Sequence, residues 1–320
     1  MSKRISWKKG MRLTDEVLLA ADNCTATTLS QSFMLASSGR FGLMPSIRPF
    51  RLSLSITSGY AEVMDLDMLA ITRAGDVIDM SITGNLADTS TTRVPLPDND
   101  DEAFLIVNIE PNSWQDDEDG FMTPTCTFVL ISPQTELPVH AVPIGHLVHD
   151  GEWKEDTARF VPPVLHLSGH HRWDELRTML VDVLKSIHEK TKAQANSPVK
   201  TAISIYWPIV QQVFIQANTE QGTMTPATLL GCVQRVVGGF ALACEVDDVL
   251  TLEDAQTFYN FAQLPYSYQK AYLRIKQGIG MCRAIDEKID KFSLLGAAPP
   301  PPPTPTPKPD TRRSWLGKQI

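Results

Sequence analysis

The stretch that decides the fold of the first half of the chain reads Arg51-Leu-Ser-Leu-Ser-Ile-Thr57, with apolar and polar side chains in strict alternation. Because successive side chains of a strand point to opposite faces, the alternation places Leu52, Leu54 and Ile56 on one face and the serines on the other. The sequence therefore predicts a strand with one face against a core and the other against water.

A β-hairpin is predicted soon after this strand. Residues 66–71 and 77–82 are apolar runs, and they flank a short turn around Gly75. Glycine adopts positive φ at no steric cost, as tight hairpin turns require. The order of strand, turn and strand predicts an antiparallel pair.

The other apolar runs before residue 165 extend the β pattern. Residues 104–109 and 126–131 are predicted as strands, whereas residues 138–148 contain two prolines and are predicted as an edge strand or a loop. Many short strands separated by turn residues are typical of a sandwich or a barrel. We therefore assign residues 1–165 to a β-sandwich domain.

Beyond residue 165 the apolar residues recur with the 3.6-residue period of helices. The third predicted helix has the clearest start, with Thr225 as N-cap and Pro226 at the first helical position. Pro208 is expected to kink or split the second helix. The five predicted helices begin near residues 172, 201, 226, 251 and 266. Short loops between them predict an antiparallel bundle over residues 166–296, and hence a segregated α+β fold.

Residues 297–320 are predicted to form a disordered tail. Prolines occur in its first half at a density that forbids helix and sheet and favours an extended polyproline rod. A basic and aromatic motif follows, with Arg312, Arg313, Trp315 and Leu316. Two interpretations remain open for this motif, a disordered end or a tethered peptide that docks on a partner.

The composition is that of an ordinary globular protein. A chain of 320 residues is long enough for two domains with cores of their own. The formal net charge of −8 argues against a nucleic-acid binder, which would carry a basic face. Neither a secretory signal nor a membrane span is predicted. The five cysteines are scattered and have no CxxC spacing, which predicts the reduced thiols of a cytosolic protein.

No catalytic residue, cofactor-binding residue or metal site is predicted. The six histidines between residues 140 and 171 have loop-type neighbours, and a zinc site would need at least three of their imidazoles to converge. Gly238 and Gly239 lie in the middle of a helix, where they favour close helix packing rather than phosphate binding. The acidic runs at residues 98–102 and 116–119 are predicted as solvated loops.

The N-terminal segment is unusual for a chain terminus, because Trp7 and a Gly10-Met11-x-Leu13 step stand where a frayed end is common. The tryptophan ring carries a large apolar surface, so this segment is expected to dock within the fold or across a subunit boundary.

Three features together resemble the TssK family, the trimeric baseplate proteins of the bacterial type VI secretion system. They are the opening Ile5, Trp7, Gly10, Met11 and Leu13 pattern, the Phe41-Gly42-Leu43 step, and the hairpin at Ala74-Gly75-Asp76. The resemblance covers residues 1 to about 292. It implies a β-sandwich shoulder followed by a helical neck, and in the family a C-terminal head follows the neck.

The resemblance also implies a function. It implies a non-catalytic structural adaptor of a contractile, phage-tail-like machine, which joins the wedge proteins TssF and TssG to the envelope-anchored membrane complex. Such a protein is expected to be a homotrimer without cofactors, and to lie in the cytoplasm at the inner face of the inner membrane when assembled.

The resemblance gives expectations for individual residues. Trp7, Gly10, Met11 and Leu13 are expected to bind a wedge partner. Two residues of the apolar stripe of the last helix, Ile279 and Ile285, are expected at the trimer interface.

Two features depart from the family. Residues 14–18 read Thr-Asp-Glu-Val-Leu where members often have a Pro-Gln-His-Phe-Gln-like stretch, so the contacts of those side chains are not carried over. The proline-rich tail stands where the head is expected. The tail motif of Arg312, Arg313, Trp315 and Leu316 is therefore expected to contact the envelope-anchored complex instead.

Two other functions remain open. A phage-type receptor-binding protein would hold a glycan on its sandwich and would need several exposed aromatic rings there. The candidates in residues 1–165 are widely spaced: Trp7, Tyr60, Trp114 and Trp153. An enzyme would need a site that these motifs do not reveal, and metal analysis of the purified protein would test for a metal-dependent one.

Overall fold

The structure is a computed structural model that describes residues 40–83, 92–98, 100–116, 122–195, 201–220, 222–246 and 252–295, with isolated positions before residue 40. Within these ranges strands precede helices, and the segregated α+β class is confirmed. The strands are β1 (Gly42–Leu43), β2 (Arg51–Ile56), β3 (Tyr60–Ile71), β4 (Val77–Ile82), β5 (Arg93–Pro95), β6 (Glu102–Asp116), β7 (Met122–Ile131), β8 (Ala141–His149) and β9 (Trp153–Glu155). The helices are α1 (His171–Ala195), α2 (Thr201–Thr219), α3 (Pro226–Val246), α4 (Leu252–Ala262) and α5 (Ala271–Leu295).

The strands form two antiparallel sheets. In one sheet β3 pairs with β1, β2, β4 and β5, and the other has the order β7-β6-β8-β9. Buried side chains of both sheets, among them Leu66, Met68, Leu105 and Val107, belong to one apolar core. Two sheets that share a core in this way form a sandwich. The predicted strand at residues 51–57 is confirmed as β2, with Leu52, Leu54 and Ile56 half-buried and the residues between them exposed.

The predicted hairpin is confirmed as β3 and β4, with Gly75 at φ 87° in the turn. The prediction of an edge strand or loop at residues 138–148 is wrong, because β8 lies between β6 and β9. Pro143 is opposite Ile106, at the point where the register between β6 and β8 shifts. A β-bulge interrupts the ladder of hydrogen bonds, so a proline without an N–H group is tolerated there in a central strand.

The helices form an up-and-down bundle. The hydroxyl of Ser186 in α1 donates to Asp286 in α5, and Trp173 at the start of α1 packs edge-to-face on Tyr272 at the start of α5. These two helices therefore run parallel, away from the sandwich. Helix α3 contacts α2, α4 and α5 and lies at the centre of the bundle.

Central position also accounts for the composition of α3. Among the described residues, Pro226–Glu245 is the one helical segment long and apolar enough to cross a membrane by length and composition alone. More than half of that segment is buried inside the protein, as is expected of the core helix of a bundle.

Local sequence signals place most helix ends. The predicted cap of α3 is confirmed, since the Thr225 hydroxyl accepts the Thr228 N–H at 3.1 Å. Pro208 does not split α2, which is continuous. Pro208 lies on the exposed side of the helix, where a residue without a backbone N–H group is tolerated. The last helix begins at residue 271 rather than 266, because a turn precedes it in which Lys270 donates to the Ser267 carbonyl.

Close helix packing at glycine is also confirmed. A Cβ on Gly239 would lie 2.9 Å from Ile209 of α2, and one on Gly278 would lie 2.3 Å from Val233 of α3. Both glycines let neighbouring helices approach more closely than any side chain would permit.

Two sets of contacts connect the sandwich to the bundle. The buried Trp173 indole donates to the Pro162 carbonyl at 3.0 Å. On another side, the Arg73 guanidinium lies over the rings of Phe41 and Tyr268, 4.9 Å and 5.9 Å from their centroids. Gln269 adds a hydrogen bond to the Pro133 carbonyl at 3.1 Å.

Candidate interaction surface

Helix α2 has an outward surface without charge. The sequence from Thr201 to Thr219 contains no Asp, Glu, Lys or Arg, although one side of the helix faces outward. Ile205 is 38% exposed and Ile215 is 52% exposed. The exposed positions of this surface, called the α2 face below, are Ser204, Ile205, Pro208, Gln212, Ile215, Asn218 and Thr219.

The neighbouring helix α3 extends the apolar part of the α2 face at one end. The two helices run antiparallel, with Ile209 packed against Gly239. One turn further along, Leu242 of α3 is level with Ile205 of α2, and it is 51% exposed. Exposed isoleucine and leucine side chains of this kind are candidates for a contact with another protein.

An aromatic stack borders the α2 face on the side of α1. The His188 ring lies parallel to the rings of Phe214, at 5.5 Å, and Trp207, at 6.3 Å. The Nδ1 atom of His188 and the Nε1 atom of Trp207 are buried, and neither makes a hydrogen bond to another described residue. Buried polar atoms without partners are uncommon in folded proteins, and each costs about 1–3 kcal/mol.

The structure corrects the expectation for Ile279 and Ile285. These side chains are 1% and 0% exposed within a single chain, because α5 packs them against its own bundle. They cannot contact a second copy unless the bundle opens. Hydrophobic periodicity cannot distinguish a stripe that faces the protein's own core from one that faces another subunit.

The expected partner-binding residues at the two ends of the chain lie outside the described residues. This applies to Trp7, Gly10, Met11 and Leu13, and to Arg312, Arg313, Trp315 and Leu316. Their roles stay predictions.

The histidines do not converge. Within the described ranges, no group of three or more His, Cys, Asp or Glu side chains is placed to hold a metal ion. His140 Nδ1 lies 2.7 Å from the Asp76 carboxylate. The prediction of loop positions is wrong for His146 and His149, which lie within β8, and for His171, which begins α1. His146 is 6% exposed and stacks on Phe104 at 4.7 Å.

The side chains of His170 and Cys282 have pKa values that favour their neutral forms. Burial lowers the pKa of His170 to about 4, and the nearby His171 and Arg172 add to this shift. The neutral imidazole accepts the Arg172 N–H at Nδ1, at 3.2 Å. Burial also raises the pKa of the Cys282 thiol to about 12, so this cysteine is protonated and unreactive.

The aromatic residues of the sandwich do not form an exposed platform within the described part of the chain. Tyr60 is half-buried beneath the Arg93 guanidinium at 4.8 Å, and Trp153 is half-buried 5.3 Å from the His149 ring.

Comparison with known proteins identifies a fold. No protein-family profile matches the chain, and no curated protein matches it in sequence. Among solved structures, a crystal structure of TssK aligns with 89% of this chain and 69% of its own, at 14% identity and a TM-score of 0.58. A chain of the type VI secretion TssK-TssF-TssG baseplate subcomplex, solved by cryo-electron microscopy, aligns with 90% of this chain and 99% of its own, at 14% identity and a TM-score of 0.55. The predicted resemblance is confirmed at the level of the fold.

Proposed function

We propose that this chain is a structural component of a type VI secretion baseplate, a non-catalytic adaptor that works as a homotrimer. The observation that carries the proposal is the TssK fold over about 90% of the chain, which recurs in TssK alone and in its complex with TssF and TssG. A fold alone does not determine function, so the surfaces of this chain have to support the role as well.

The α2 face supports the homotrimer. Three copies around a symmetry axis would each cover the exposed Ile205, Ile215 and Leu242 of a neighbour. Full burial of one such side chain is worth about 1.5–3 kcal/mol. This face replaces Ile279 and Ile285 as the proposed contact between copies. The absence of charged side chains from α2 favours it, because association would bury no unpaired charge of that helix.

The N-terminal segment is the proposed contact with the wedge, whose components by analogy are proteins of the TssF and TssG type. Trp7, Met11 and Leu13 provide apolar anchors, and Gly10 allows close approach of the backbone. The surrounding lysines and arginines would steer an acidic partner towards these anchors.

The C-terminal motif is the proposed contact with the envelope-anchored complex. Arg312, Arg313, Trp315 and Leu316 combine charge with apolar surface, as short docking peptides do. The proposed organisation is a shoulder over residues 1–165, a neck over 166–296 and a tail over 297–320. The proposed location is the cytoplasm, at the inner face of the inner membrane.

Co-purification tests this proposal. The full chain is co-expressed with the wedge proteins of its own organism and purified through an affinity tag on one of them. We expect the chain to co-purify, and a variant lacking residues 1–13 to be lost from the complex while its circular dichroism spectrum is unchanged. Absence of the full chain from the purified wedge would contradict the baseplate role, whereas loss of the spectrum on deletion would show that the segment belongs to the core.

A further inference from the structure

A cleft lies beside β8 and β9, and β2 and the start of α1 also contribute to its lining. The cleft consists of two cavities, of about 450 Å³ and about 380 Å³, that share Glu155 and Asp156 as lining residues. It lies apart from the α2 face, which belongs to the helical bundle.

The larger cavity is acidic. Five carboxylates line it, against Lys154 and Arg159 as cations. The carboxylates belong to Asp101, Glu102, Asp150, Glu155 and Asp156. Lys154 pairs with Asp150 at 3.1 Å and Arg159 with Asp156 at 3.4 Å. The other three carboxylates have no lysine or arginine partner among the described residues, so the cavity has an excess of negative charge.

Glu155 is the poorly solvated carboxylate of this cavity. Burial raises the pKa of its carboxyl group, because the charged form is poorly solvated there. A cation brought into the cavity would stabilise the charged form of Glu155 and reduce the repulsion among the carboxylates.

The smaller cavity has a mixed lining, in which Arg51 and Arg172 accompany Glu155 and Asp156, and it contains a histidine without hydrogen bonds. Phe50, Leu52 and Phe160 line it together with His146. His146 is 94% buried, and neither ring nitrogen makes a hydrogen bond to a described residue. Its Nε2 lies 3.8 Å from the Glu102 carboxylate and its Nδ1 lies 3.8 Å from that of Asp156, both beyond hydrogen-bond distance. A buried neutral imidazole of this kind is stabilised by a ligand that supplies a donor.

We propose that this cleft binds the basic N-terminal segment of the same chain, residues 3–12. That segment has the complementary chemistry, because residues 1–14 contain five lysines and arginines and no carboxylate. Trp7 lies in the middle of these cations. Its ring would pack against Phe50, Leu52 and Phe160 in the smaller cavity, and its indole N–H is a donor of the kind that the His146 ring lacks.

The chain between the N-terminal segment and the sandwich is long enough for the segment to reach the cleft. Twenty-six residues separate Leu13 from Arg40, and Gly42 pairs with Ile71 at the edge of the sandwich itself. That many residues can span up to about 90 Å, more than twice the length of α1 at about 38 Å. The other basic and tryptophan-containing segment, at residues 312–318, follows α5, which ends on the side of the bundle away from the sandwich.

Docking of the N-terminal segment in the cleft would control when the chain can bind a wedge protein. Side chains held there are covered, so a wedge protein could bind Trp7 and its neighbours only after the segment is released. The cleft would thus keep the free protein from binding other partners through an exposed basic and aromatic end.

Carbodiimide cross-linking of the full chain in the absence of wedge proteins tests the inference, so its outcome does not depend on the baseplate role. We expect mass spectrometry to find amide links from Lys3, Lys8 or Lys9 to the cleft carboxylates. The exposed carboxylates of α1 are the matched control, and we expect links to them to be several-fold rarer. Those controls are Glu175, Asp182 and Glu189. Mixing isotopically labelled and unlabelled protein distinguishes links within one chain from links between copies, and links between copies would contradict the inference. Links from the C-terminal lysines to the cleft would show that the tail occupies it instead.

Hydrogen exchange gives an independent measurement. The double variant Lys8→Glu and Lys9→Glu should raise exchange several-fold in residues 144–160, and adding Asp101→Lys and Glu102→Lys should reverse that rise by restoring opposite charges. The matched variant Arg312→Glu and Arg313→Glu should leave these residues unchanged. Unaltered exchange in the Lys8 and Lys9 variant would overturn the inference.

Discussion

Helices α1 and α2 pack side by side, but their outward surfaces differ in kind. The outer side of α1 carries charge along its length, at Glu175, Asp182, Lys185 and Glu189. The outer side of α2 carries isoleucine, proline and amides with no charge at all. Both helices bury an apolar stripe, so the stripe does not distinguish them. The difference lies in the outward face of each helix: the charge on α1 suits contact with water, and the absence of charge on α2 is the basis for proposing a contact between copies there.

The largest expected effect is the difference in stability between a substitution inside the bundle and one on the α2 face. Ile285→Asp places a carboxylate in a fully buried position and should lower the free energy of unfolding by at least about 4 kcal/mol. Ile215→Asp, made at a half-exposed position, should leave the helical circular dichroism signal intact. Urea denaturation of both variants measures the contrast. Equal destabilisation would mean that the α2 face is part of the core.

A second contrast compares two glycines of α5. Gly278→Ala would place a methyl group 2.3 Å from Val233 and 2.4 Å from Phe261, and should destabilise the protein by about 1–3 kcal/mol. Gly280→Ala faces open space and should stabilise the helix by up to about 1 kcal/mol. Thermal melts of the pair check the prediction. A neutral Gly278→Ala variant would show that the helices are less closely packed than described.

A third prediction concerns pH at the start of α1, where the charged helix meets the sandwich. The pKa of His170 is about 4 in the folded protein and about 6.5 in an unfolded chain, so between these values only the unfolded chain takes up the proton. Stability should therefore fall as the pH is lowered from about 6.5 towards 4. His170→Asn removes this group, and its melting temperature should depend less on pH over that window. Parallel pH curves for both proteins would contradict the assigned pKa.

The smallest expected effect lies on the outer side of α1. The variant Asp182→Lys with Glu189→Lys should change stability by no more than about 0.5 kcal/mol and leave the oligomeric state unchanged, because both side chains are exposed. Loss of oligomers in this variant, measured by light scattering, would place the contact on α1 rather than α2.

Local chemistry predicted much of the fold. The alternation of β2, the turn glycine Gly75 and the Thr225 cap each act within a few residues, so the sequence alone reveals them. The same holds for the predicted close packing at Gly238 and Gly239 of α3.

Long-range packing explains what the sequence did not reveal. The central place of β8 depends on a bulge opposite Ile106, which exists only once the strands have paired. The burial of Ile279 and Ile285 depends on which helices surround α5. The α2 face could have been found from the sequence, since nineteen helical residues without a charged side chain are a visible signal. What the sequence does not contain is the information that one side of that helix stays uncovered.

The molar mass in solution tests the central claim most directly. Light scattering of the purified full chain should give three times the 35.5 kDa of one chain. The double variant Ile205→Asp with Ile215→Asp should give the mass of a single chain with its helical content retained. A wild-type protein of 35.5 kDa, or a double variant that remains trimeric, would contradict the account.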